Sequence, residues 1–252
     1  MKKERRPESE HKGITRRSFV KTGGAALAGG AALGSTVVPA AAAMGGPNTP
    51  GSALFPSLPR QEAKIQAHRT LGRTGFQVSD IGMGSVPLRE SSVVRYAYDK
   101  GVNYFDTAEG YGNGAAERAI GEALQHMERD KVFLATKARV GEGDDTEAVV
   151  TKVRGCLERL NTDYVDSFSM HAASSFEALN HPGFHAAMDQ LKAEGRVRFR
   201  GVSYHGGSAE QPSMGDLLSA AAEDGRFDMM LLVYNFMNHE EGDRIIAACK
   251  AN

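Results

Sequence analysis

Residues 102–138 read VNYFDTAEGYGNGAAERAIGEALQHMERDKVFLATKA. Two apolar runs, VNYFDTA and KVFLATKA, flank a segment of helical periodicity, AAERAIGEALQHM, so the stretch is one strand–helix–strand unit. Asp106 and Lys137 interrupt the two apolar runs close to their C-terminal ends, where strand becomes loop.

The same rhythm extends in both directions. Upstream lie a hairpin (HRTL, a turn over residues 72–75, then FQVSDIGMG) and a helix, SSVVRYAYDKG. Downstream come the helix TEAVVTKVRGCLERL, the strand DYVDSFSMHA, the helix GFHAAMDQLKAEG and the strand RFRGVSYH. The helix SMGDLLSAAAEDG, the strand FDMMLLVYNFM and a final helical start, EGDRIIAACKAN, complete the chain. Gly101, Gly195 and Gly225 sit just past helical runs, where a left-handed residue ends a helix. Repeated βα units imply a parallel sheet buried on both faces. The strand ends choose its form. Asp106, Lys137, His171 and His205 terminate four successive strands, and ionisable residues so placed mark the mouth of a (β/α)8 barrel. An open doubly wound sheet gathers its ligand chemistry at one switch point and usually carries GxGxxG after its first strand. Here the nearest stretch, GYGNGAAE, has the wrong spacing and follows the second strand.

The strand-end residues make a coherent chemical set. Asp106 and Lys137, read as lying at the same height on adjacent strands, form a buried ion pair. Tyr111 stands five residues after Asp106 in a Gly-flanked loop that folds it over the mouth. An ammonium beside a phenol favours the phenolate and so makes the phenol a readier proton donor. Neutral His171 would hydrogen-bond and orient a carbonyl. This is a general-acid site suited to carbonyl reduction with hydride from a cofactor. A metal-dependent barrel hydrolase is the first rival, because His171, His205 and His239 recur every 34 residues. That interval is the length of one βα unit, the first strand lacks an H-x-H pair, and the Asp–Tyr–Lys set would be left unexplained, so no metal is expected. A non-catalytic nucleotide-binding barrel or subunit is the second.

The whole chain has 252 residues, 41% hydrophobic and 24% charged, with a formal net charge of −1, and shows no basic face for nucleic acid. Cys156 and Cys249 are too few for a disulfide framework, and they read as free thiols on buried helix faces. The first 43 residues differ from the rest: a basic start, a Gly/Ala-rich middle and an Ala-x-Ala ending form a secretory signal, with cleavage expected after Ala42 or Ala43. Thr15–Lys21 (TRRSFVK) resembles the twin-arginine export motif, which implies the twin-arginine export machinery as a partner and a periplasmic location. The middle is too weakly apolar for a stable membrane anchor. Residues 44–66, with four prolines, read as a flexible linker, and 67–252 as the barrel.

FDTAEGYG followed by GAAERAIGEAL resembles the signature of the aldo/keto reductases. VFLATKA, LERLNTDYVDSFSMHA and GRVRFRGVSYH are similar to further segments of that family, in register. The resemblance implies a catalytic tetrad of Asp106, Tyr111, Lys137 and His171, an aldehyde or ketone substrate, and NADPH extended across the mouth. It implies cofactor contacts from Ser203, which would hold the nicotinamide amide, with Tyr204 and Tyr234 nearby. Three features depart from the family pattern. Tyr204 stands where Asn is common, Leu231 where many members have Gln, and the sequence given reaches only the sixth of eight expected βα units. The two further units would carry the phosphate-binding loops, and the reading adopted is an incomplete barrel in a fragment. An iron–sulfur cluster would follow only from a cysteine-rich extension past Asn252.

Overall fold

The structure is a computed structural model, and it describes residues 63–252. The leader (1–43) and nearly all of the linker expected at 44–66 lie outside the described residues. An antiparallel hairpin, β1 (His68–Thr70) with β2 (Gln77–Ser79), comes first. Six parallel strands then run in sequence order: β3 (Met83–Gly84), β4 (Tyr104–Asp106), β5 (Phe133–Ala138), β6 (Val165–Met170), β7 (Val197–Ser203) and β8 (Met229–Leu231). Helices connect them: α1 (Ser91–Asp99), α2 (Ala115–Leu124), α3 (Thr146–Leu160), the short α4 (Phe176–Leu179) with α5 (Pro182–Ala193), α6 (Met214–Asp224) and, after β8, α7 (His239–Ala251). This is six consecutive units of a (β/α)8 barrel.

Parallel partners share a face, so the register sorts the side chains. Asp106 pairs with Ala135 and Ala135 with Ser167; Lys137 pairs with Ser169 and Ser169 with Gly201; Ser203 pairs with Leu231. These residues form the inner face, small and polar toward the mouth. The alternate set, including Phe105, Leu134, Phe168 and Val202, is buried against the helices in the main apolar core. At the opposite end Tyr104 and Phe199 stack on Phe133, with centroids 5.5 and 6.2 Å away. The hairpin reaches the same cluster, where Phe76 meets Phe133 edge-on at 5.4 Å.

Polar residues on the outer face are matched by partners. Buried Glu117 on α2 accepts from Thr136 Oγ1 at 2.7 Å and Arg159 Nε at 2.6 Å. Asp166 accepts from the Leu134 N–H and pairs with Arg129 and Arg198, each at 2.9 Å. At Gly121 a Cβ would lie 2.7 Å from the Arg159 carbonyl oxygen, so glycine lets α2 and α3 touch backbone to backbone.

Four details differ from the sequence reading. Ordered packing begins before His68: Ile65 donates its N–H to the Lys100 carbonyl at 3.2 Å and packs on the core. The last strand is three residues, not eleven, because Asn235 and Asn238 accept backbone N–H groups of Met237 and Asn235 and turn the chain. His239 consequently opens α7 and is not at a strand end. Cys156 is buried as read, whereas Cys249 is exposed on α7, its thiol 3.7 Å from Met230 Sδ; both are free thiols.

Candidate active site

The Lys137 side chain is 1% exposed, and its ammonium spends all three of its donors. It reaches Asp106 Oδ1 at 2.8 Å, Asp106 Oδ2 at 2.7 Å and the Thr107 carbonyl at 2.9 Å. The two residues are not at one height. Asp106 lies level with Ala135, so Lys137 starts one inward position nearer the mouth and leans back to the carboxylate. Burial pushes the Asp106 carboxyl above its ordinary range, and the Lys137 charge pulls the other way.

Tyr111 is carried by the loop between β4 and α2. Its N–H donates to the Ala108 carbonyl at 3.0 Å, and its carbonyl accepts from Ala116 N at 3.3 Å, which ties the loop to the first turn of α2. Gly112, Asn113 and Gly114 all adopt positive φ (59°, 55° and 78°), a path that the sequence Gly-Asn-Gly permits. The ring is set 5.0 Å from Lys137 Nζ and meets the His171 ring edge-on, with centroids 5.9 Å apart. With its donors committed, the Lys137 ammonium meets the Tyr111 ring without a hydrogen bond to it.

His171 follows β6, and its N–H continues the ladder to the Ala138 carbonyl at 2.9 Å. Burial, then the positive charges of Lys137, Arg139 and His205, depress its imidazole to about 4, so the ring is neutral near pH 7. The next residue, Ala172, holds φ at 58°, a conformation that costs about 1–3 kcal/mol outside glycine. It donates to Ser203 Oγ at 3.0 Å, which joins the His171 loop to the end of β7.

Two cavities flank His171. One, about 340 Å³, is lined by Ser203, Tyr204, His205 and Gln211; the other, about 890 Å³, by the loop after β5 and by residues 170–178. Arg139 borders both. The structure therefore brings Asp106, Tyr111, Lys137, His171 and Ser203 to one end of the sheet. Tyr204 borders the smaller cavity, but its body is in the core and its hydroxyl donates to the Pro212 carbonyl at 3.0 Å. Tyr234 is half exposed and donates to Asp243 of α7 at 2.9 Å; it borders neither cavity. Among the described residues no cluster of His, Cys, Asp and Glu could hold a metal ion, and His239 opens α7 and does not end a strand. Sequence reasoning passed over Arg139, although strand alternation from Lys137 puts it on the same inward face.

A parallel βα sheet with a buried Lys–Asp pair, a tyrosine and a neutral histidine gathered at its C-terminal edge has the layout of a (β/α)8 barrel mouth. The model of the aldo/keto reductase family matches residues 83–252, and the chain belongs to that family. It is 34% identical over 161 residues to probable aldo-keto reductase 1 of Glycine max, covering 56% of this chain and 46% of that protein. It is 38% identical over 114 residues to methylglyoxal reductase YeaE of Escherichia coli (strain K12), covering 45% and 38%. An aldo-keto reductase from Klebsiella pneumoniae, solved with NADPH, matches with a TM-score of 0.59 at 25% identity, over 74% of this chain and 65% of that one. The chain spans about half the length of the curated relatives it matches.

Proposed function

We propose that the protein reduces an aldehyde or ketone to an alcohol with NADPH, with Tyr111 as the general acid. The observation that carries this reading is the Lys137 ammonium, buried, paired with Asp106 and 5.0 Å from the Tyr111 ring. A fixed positive charge stabilises the phenolate left when Tyr111 gives its proton to the carbonyl oxygen. Asp106 holds that charge in place. Neutral His171 donates one ring N–H to the same carbonyl oxygen and so aligns the substrate.

The residues present fit the nicotinamide end of the cofactor. Ser203 Oγ already accepts from Ala172, while its own O–H reaches the Met170 carbonyl only at a long 3.4 Å. Turned from that long contact, the hydroxyl would reach a carboxamide held in the smaller cavity, which Ser203 helps to line. When bound, NADPH supplies the hydride that attacks the carbonyl carbon. The methylglyoxal reductase relative and the NADPH complex from Klebsiella pneumoniae support this choice of substrate class and cofactor.

Replacing Tyr111 by Phe tests the acid. Turnover of a model aldehyde by the full-length protein is expected to fall about 10²–10⁴-fold while NADPH binding, followed by fluorescence, persists. Unchanged turnover would remove Tyr111 from the role. We further propose export through the twin-arginine route with NADPH loaded before translocation, on the strength of Arg16–Arg17 and the Ala-x-Ala ending. N-terminal sequencing of the exported protein is expected to begin at Ala43 or Met44.

A further inference from the structure

Arg139 occupies the inward position that follows Lys137, just past the end of β5. It is exposed and borders both cavities beside His171. Among the described residues its guanidinium makes no hydrogen bond and no ion pair; only its carbonyl is engaged, by Lys152 Nζ at 3.0 Å. Most other arginines of the fold are placed differently: Arg129, Arg159, Arg198 and Arg200 each face a carboxylate. The carboxylates bordering the larger cavity, Glu142 and Glu177, form no ion pair with it, and Glu177 is turned to its own backbone and Ser175. A guanidinium fork is built to grip a planar anion through two parallel hydrogen bonds. Arg139 and His171 line the same two cavities, so an anion on Arg139 would share its cavity with a carbonyl held at His171.

We propose that Arg139 selects substrates in which the reducible carbonyl carries a carboxylate a few bonds away, making the protein an oxo-acid reductase. This rests on the reductase reading above but names a contact that reading does not require. Arg139 is a specificity residue: it touches the unreacting end of the substrate, and no proton or electron passes through it.

The test uses the full-length protein with NADPH and two aldehydes of similar shape, 4-carboxybenzaldehyde and benzaldehyde. A charge-assisted bidentate bond is expected to favour the acid at least tenfold in kcat/KM, carried by KM. In Arg139→Gln that preference should collapse toward unity, and Arg139→Lys, which keeps the charge but loses the fork, should keep an intermediate one. Equilibrium binding of 4-(hydroxymethyl)benzoate, measured by calorimetry in the three proteins, should follow the same order. A preference unchanged in Arg139→Gln overturns the proposal. So does a loss confined to NADPH affinity, because Arg139 would then belong to the cofactor. If the acid binds in an Arg139-dependent way but neither aldehyde turns over, the anion site stands and the reductase reading fails. If both aldehydes turn over without discrimination, the reductase reading stands and the anion site fails.

Discussion

Replacing Lys137 by Met leaves the Asp106 carboxylate without its partner in a site where it is only 18% exposed. At 2.8 Å and an effective dielectric near 20, the lost attraction is about 6 kcal/mol before solvation is considered. Part of this is offset because the ammonium no longer has to be kept out of water, and breaking one side of a buried pair typically costs about 3–5 kcal/mol. Protonation of Asp106 gives an escape. Burial already holds its folded value above the unfolded one, and removing Lys137 takes away the charge that opposed this rise. A carboxyl raised in the folded state contributes stability that is present at low pH and is lost as pH rises through the folded value. The deficit of the variant should therefore be full near pH 8 and shrink toward about pH 4. Urea unfolding followed by circular dichroism, at several pH values, measures it. The double variant Lys137→Met with Asp106→Leu should recover most of the loss, since both charges are gone. A single-variant loss below about 1 kcal/mol, or a double variant as weak as the two singles summed, would refute the buried-pair reasoning.

Three further outcomes follow from the geometry. His171, depressed to about 4 by burial and by Lys137, Arg139 and His205, should place no acid limb on kcat/KM between about pH 5 and 7; a limb near 6.5 that vanishes in His171→Asn would contradict this. Because its folded value lies below the unfolded one, it also makes the fold lose stability as pH drops from about 6.5 toward 4. Gly121→Ala gains about 1 kcal/mol of helix propensity but drives a methyl to 2.7 Å from the Arg159 carbonyl, an overpacking cost of about 1–3 kcal/mol or more against backbone; thermal melting should show net destabilisation, and a raised Tm would contradict it.

The strand-end chemistry was visible in the sequence because Asp106, Lys137 and His171 each break an apolar run at the point where a strand must end. A parallel sheet covered on both faces tolerates an ionisable side chain at its mouth far better than along the buried body of a strand. The outward polar groups were hidden by the same logic. Glu117 and Asp166 are matched by Arg159, Arg129 and Arg198 from distant segments, and nothing local announces such pairing. The overlong final strand had a local cause: apolar residues 229–233 continue the strand pattern, and the turn depends on two asparagine side chains capturing backbone N–H groups. The family resemblance makes Tyr204 and Tyr234 candidates for the cofactor by their place in the chain, without regard to what their hydroxyls meet. Their hydroxyls find partners on loop 212 and on α7, which depend on how those elements fold back.

Hydride transfer from NADPH to a carbonyl is the central claim, and isotope transfer tests it most directly. The full-length protein would be given NADPH carrying deuterium at the transferable position of the nicotinamide, together with a model aldehyde, and the alcohol analysed by mass spectrometry. One deuterium is expected on the former carbonyl carbon of the alcohol, with the label arriving far more slowly in Tyr111→Phe. An alcohol formed without label, or no alcohol from any aldehyde while NADPH binds, would contradict it.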